Sequence, residues 1–291
     1  YSIVSDVDGK RFVTARGWED LSVVMKVYEK QGMPIDYDFI VQYLQDPEIA
    51  RDFAVYYELY RKYNQIYRVP ELLEGTYPEN VLSIQNAPFD EKLSLIGLLL
   101  DALGQEFVTY ARSEAAQKEL LTQLGYLRMD LKEGRGDAKA LLECQCDSHK
   151  TLTLHKKKAG LLSREELRSA HDLELMLDAC ISLVAEKGSG DVRTDFGLVK
   201  QYFDEQEEAR QKQIVDAGRH LSNAFDFLSR VFGEGQELVI FLSELSAGYY
   251  SLKFVSECGN EEYYKYNRLL LLKDRSEELT QEVMELLALD D

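Results

Sequence analysis

From about residue 18 onward, apolar residues return every three or four positions, the period of one helix face. Leu21, Val24, Met25 and Tyr28 predict a first helix over 18–31, stopped by Gly32 with Pro34 just beyond. Asp36 then caps a short helix carrying Phe39, Ile40, Tyr43 and Leu44. Asp46-Pro47 supplies an N-cap and a proline at the first helical position of a third helix. That helix bears an aromatic stripe, Phe53, Tyr56, Tyr57, Tyr60, Tyr63 and Tyr67. Ahead of these, residues 3–13 contain Asp8-Gly9, a dipeptide that accepts the positive φ of a tight turn and so predicts a small hairpin. Pro70, Gly75, Pro78 and Pro88 crowd the stretch that follows and mark a boundary.

Beyond it the helical period is stronger. Asp90 is the expected cap of an apolar helix in which Leu93, Ile96, Leu100, Leu103, Phe107 and Tyr110 alternate by three and four, with Leu95, Leu98 and Leu99 as a second apolar edge. Further helices are expected at 114–133, 138–158 and 164–186, the last opened by a Ser163/Glu166 capping box. A long helix should cover 195–232, with a polar, solvated stretch at 204–213 and a stop at Gly233 and Gly235. Helices at 236–245, 261–272 and 275–289 complete the pattern. The expected fold is all-α: a small lid-like piece at 1–69 with a short hairpin, a Pro/Gly-rich linker at 70–89, and a larger helical bundle at 90–291.

Charge and composition narrow the function. The 291 residues are 45% hydrophobic and 30% charged, enough to form a packed core. Lys and Arg total 34 against 52 Asp and Glu, and a net charge of -18 repels a phosphate backbone, so no nucleic-acid partner is expected. No run of about 18 uninterrupted apolar residues exists, Asp101 cutting the richest, and no membrane partner is expected. Four cysteines fit a reducing compartment better than a disulfide scaffold. With Tyr1 first and no basic-then-apolar leader in view, the expectation is a piece of a longer cytoplasmic protein.

Candidate chemistry is sparse. Cys144, Cys146, His149 and His155 have the residue types of a zinc tetrad. On a regular helix, however, residues two apart point about 200° from one another, so the set converges only where the helix breaks. Lys156-Lys157-Lys158 before Gly160 reads either as an anion site or as cations at a helix C-terminus. His171 and His220 lack a neighbouring nucleophile, and carboxylate pairs such as Glu165-Glu166 suit solvated faces. The tyrosines of the third helix serve either packing or a binding groove. No G-x-x-x-x-G-K-[ST] loop and no apolar strand ending in Asp-Glu occurs, so the chain holds no triphosphatase site of its own.

One segment carries a resemblance. Phe12-Val13-Thr14-Ala15-Arg16-Gly17-Trp18-Glu19-Asp20-Leu21-Ser22 resembles the sensor-2 segment of MoxR-type AAA+ ATPases, in which an arginine opening a lid helix reaches toward the γ-phosphate of ATP. Ala15 stands where that family often has proline. An arginine at a helix start offers a planar, permanently charged fork to phosphate, with the positive end of the helix behind it. The resemblance, which extends more loosely through Tyr67, implies that Arg16 is both the catalytic and the nucleotide-contacting residue. ATP and Mg would then be held in the parent protein by an upstream AAA+ core, with none bound to this fragment alone. It also implies a homo-oligomeric ring, a client protein, and a partner with a von Willebrand factor A domain. The fragment itself should be inactive. Against this stand a free-standing helical interaction module with no nucleotide role, and an Arg16 that merely pairs with Glu19 or Asp20.

Overall fold

The computed structural model describes residues 3–6, 9–77 and 83–270, with side chains from residue 13 onward except Gln65 and Ser83. The helix expected at 275–289 and the turn residues 7 and 8 lie outside the described residues. The fold is all-α apart from one hairpin, β1 (Ile3–Asp6) and β2 (Gly9–Phe12), paired antiparallel from Ile3↔Phe12 to Asp6↔Gly9. The chain forms two compact units, residues 1–69 with 87–98, and residues 70–86 with 99–291.

In the first unit, α1 (Ala15–Gln31), α2 (Tyr37–Leu44) and α3 (Pro47–Tyr67) each begin on a side-chain cap. Thr14 accepts from Gly17 N, Asp36 from Phe39 N, and Asp46 from Glu48 N and Ile49 N. α1 therefore starts three residues earlier than its apolar period suggests, because Thr14 satisfies the free N–H groups of its first turn. Gly32 ends it at φ 68°. Leu21, Ile40, Leu44 and Ala50 are fully buried at the centre of this unit.

The described residues of the expected linker, 70–77 and 83–86, are the ones that depart most from expectation. A short α4 (Val69–Leu73) buries Leu72 and Leu73, and a 3-10 turn (Ser83–Asn86) buries Ile84. These residues are fastened to α8 (Val192–Phe232): Asn223 Nδ2 donates to Leu73 O at 2.6 Å, and Tyr77 OH donates to Asp226 at 2.8 Å. The backbone at Pro70–Thr76 closes on itself through Glu74 N to Pro70 O, Gly75 N to Leu72 O and Thr76 N to Glu71 O, while Asn223 donates to Leu73 O.

α5 (Phe89–Lys132) is one helix of 44 residues where two are expected. Nothing between Tyr110 and Ala116 breaks it: Glu114 holds Lys118 one turn on, and Ala116 and Gln117 are buried. By length and composition alone α5 could cross a membrane. Leu95, Leu99, Leu103 and Phe107 along it are fully buried.

In the second unit, α5 from Leu120 to Leu131 packs with α6 (Ala138–Lys158), α7 (Arg164–Lys187) and the start of α8 around Leu142, Leu173, Leu177, Cys180 and Val199. Leu120, Leu124, Leu127 and Leu131 recur at the four-three-four spacing of a packed bundle seam. The rest of the unit is aromatic. Phe225 of α8 meets Phe241 of α9 (Gln236–Ala247) edge-on and stacks on Tyr266 in the helix at 261–270. A helix with no expectation behind it, α10 (Tyr249–Cys258), follows α9 after Gly248 with a bend of 88°.

α8 begins at Val192 rather than Asp195, because Asp191 is the cap and Asp195 does other work. The buried Asp195 carboxylate turns back to accept from Ser189 N at 2.8 Å and Gly190 N at 3.2 Å, closing the α7–α8 connection. Asp195→Ala leaves those two donors without acceptors and is expected to cost about 1–3 kcal/mol in urea unfolding. A loss too small to measure there would show that water replaces the carboxylate.

Candidate functional site

Arg16 is the second residue of α1. Its side chain is 88% exposed and meets Asp20 Oδ2 at 3.7 Å, at the far limit of an ion pair. A pair so solvated holds the guanidinium only weakly. The helix beneath it is firmly fixed. Leu21 is fully buried, and Trp18 lies edge-on against Phe53 of α3 with ring centroids 4.9 Å apart. Gly17 brings the first turn of α1 against the end of α2, where a Cβ would come within 2.7 Å of Tyr43 O. Any larger residue there must push a backbone carbonyl aside. Ala15 takes the first helical position, where proline is also accommodated. Thr14 and Gly17 thus set the direction of Arg16, and periodicity alone signals neither.

The other sequence candidates separate on inspection. α6 runs unbroken from Ala138 to Lys158, so Cys144 is exposed while Cys146 is buried against Asp178 at 3.3 Å. His149 Nε2 sits 3.3 Å from Ala170 O, and His155 is exposed, so the four do not converge. Among the described residues, no group of three or more His, Cys, Asp and Glu is placed to hold a metal. Lys156, Lys157 and Lys158 fill the last turn of α6, and Gly160 follows at φ 67°, the geometry of a terminated helix with cations at its negative end. The tyrosine stripe of α3 divides. Tyr57 and Tyr67 are buried with their hydroxyls on Glu29 and Glu91, whereas Tyr56 is exposed. Burial and the Glu29 carboxylate push the Tyr57 phenol up to about 12, so it remains a neutral donor at any physiological pH.

In the second unit a polar cluster forms around His220, which the sequence offers only as a histidine without a neighbouring nucleophile. His220 of α8 lies between Glu106 of α5, at 2.8 Å from Nδ1, and Glu74, at 3.0 Å from Nε2, while Arg219 also reaches Glu74. Glu74 is solvated, yet hydrogen bonds from Arg219 and His220 hold its carboxyl down at about 2. A carboxylate bound more tightly to its partners in the folded chain adds stability above its ordinary value near 4.5, and loses it as the pH falls toward 2. Urea midpoints of wild type and Glu74→Gln should therefore converge between pH 4.5 and 2. Parallel curves across that window would remove the clasp from the energetics of folding. The two carboxylates lie over a hundred positions ahead of Arg219 and His220, so no local motif could have announced the cluster.

No family model, curated protein or solved structure matches this chain.

Proposed function

We propose that residues 1–69 are the end of the lid of a MoxR-like AAA+ ATPase, with Arg16 as its sensor-2 arginine, and that residues 90–291 are a helical extension serving client or partner binding. The observation that carries this reading is the pairing of the Phe12–Ser22 resemblance with a guanidinium that projects 88% exposed from the first turn of an anchored helix. Such a group suits the outer charge of a bound nucleotide, because its fork is free to form two parallel hydrogen bonds while the helix N-terminus adds positive potential. This chain contributes that one group. The phosphate-binding loop and the Mg ligands belong to sequence ahead of it, and ATP bound there supplies the bond whose hydrolysis drives remodelling in the parent protein. A ring of subunits in the cytoplasm and a von Willebrand factor A partner belong to the same proposal. The test is steady-state ATP turnover of the longer protein carrying Arg16→Ala, with folding followed by thermal melting. Unchanged turnover removes the assignment and leaves the free-standing interaction module as the reading.

A further inference from the structure

The second unit carries 39 Asp and Glu against 24 Lys and Arg, yet one of its grooves has the opposite sign. It runs between the C-terminal half of α5 and the N-terminal part of α8, with a volume of about 680 Å³. Its floor is apolar: Leu121, Leu124 and Leu131 from α5, Phe196 and Phe203 from α8. Leu121 remains 57% exposed and Val192 44%, so apolar surface is open to a guest along this groove. Arg128 and Lys132 line one side, Arg193 and Lys200 the other. Asp204 is the single carboxylate lining it and is held by Lys200 at 2.6 Å. Among the described residues, Arg128 and Lys132 form no ion pair, while Arg193 acts on the Asp191 carboxylate at the head of α8 without closing one.

The spacing defines the guest. Leu121, Gly125, Arg128 and Lys132 share one face of α5 at i, i+4, i+7 and i+11, a wall about 16 Å long that matches three turns of a docked helix. Gly125 keeps that wall low, since nothing lies within 4 Å of where its Cβ would be. We propose that this groove docks an acidic amphipathic helix of a protein partner, its apolar face on the leucine and phenylalanine floor and its carboxylates on the flanking cations. Helix-in-groove binding uses this division of labour, with buried apolar anchors and a charged rim that sets orientation. A long polyanion fits less well. It would run past the groove onto a strongly acidic surface within one Debye length. The inference names the partner chemistry of the extension proposed above, but it does not use Arg16, so turnover and docking fail independently.

The test is fluorescence anisotropy with three labelled synthetic 14-residue peptides. One has leucine at i, i+3, i+4 and i+7 with glutamate on the flanks, one has lysine replacing every glutamate, and one is all glutamate. The Leu/Glu peptide should bind saturably, and Arg128→Glu with Arg193→Glu should weaken it about tenfold. Both sites are solvent-facing, so the thermal melt should be unchanged, and Leu121→Ser should weaken binding through the floor alone. Equal binding of the lysine or all-glutamate peptide overturns the proposal. So does an unaltered affinity in the double variant, or displacement of the peptide by anionic vesicles or RNA.

Discussion

On the proposed sensor-2 role, Arg16→Ala in the longer protein is expected to lower ATP turnover by about a hundredfold while the melting temperature stays where it was. The magnitude follows from what a positioned donor does for charge that develops in a transition state, where losing one such group costs about 10²-fold or more in rate. The unchanged melt follows from exposure. With 88% of the side chain in water and Asp20 at 3.7 Å, little folded-state energy is at stake. Arg16→Lys separates charge from geometry: a point charge without the planar fork should recover only part of the rate. Equal loss of rate and of stability would instead make Arg16 a structural residue of α1. Full activity in Arg16→Ala would end the nucleotide reading.

Phe107→Ala is expected to remove about 3–5 kcal/mol from the second unit, measured as a lower urea midpoint at an unchanged slope. Phe107 is fully buried in α5 and stacks on Phe254 of α10 with centroids 4.7 Å apart, and Phe254 in turn meets Tyr110 edge-on at 5.2 Å. Truncation loses the transfer energy of a ring and the aromatic contact, and leaves a cavity that rigid helices on either side cannot close. Set against a typical total of about 5–15 kcal/mol, that is a large share. Phe107→Leu, which keeps most of the volume, should cost far less. A cost below about 1 kcal/mol for the alanine variant would mean that α10 does not pack on α5 in solution.

That second prediction depends on a helix the periodicity does not reveal. α10 is ten residues long and separated from α9 by a single glycine, and its packed face becomes meaningful only against α5, more than a hundred residues earlier. Gly248 permits the sharp bend, because a Cβ there would meet Ser251 Oγ at 2.5 Å. The His220 clasp and the cationic groove share that origin: each gathers residues from segments remote in sequence whose separate patterns look like ordinary solvated helix. Arg128, Lys132 and Arg193 read singly as surface charges, and only the packing of α5 beside α8 lines them along one cleft.

What the amino-acid sequence determined by itself is most of the helices and many of their ends, with α4 and α10 left out and α5 divided in two. Asp36, Asp46, Ser163 and Gly32 act on backbone groups within a turn of themselves, so their effect is written locally. The apolar seams of α5 and α8 are likewise periodic signals carried on one strip of chain. The sensor-2 likeness is local too, a dozen residues around Arg16. Tertiary structure alone decided that Leu73, Tyr77 and the turn at Ser83–Asn86 pack against α8, and that α5 continues unbroken through residue 113. Those outcomes depend on which distant surface each segment buries, and burial free energy belongs to the assembled pair of faces rather than to either one.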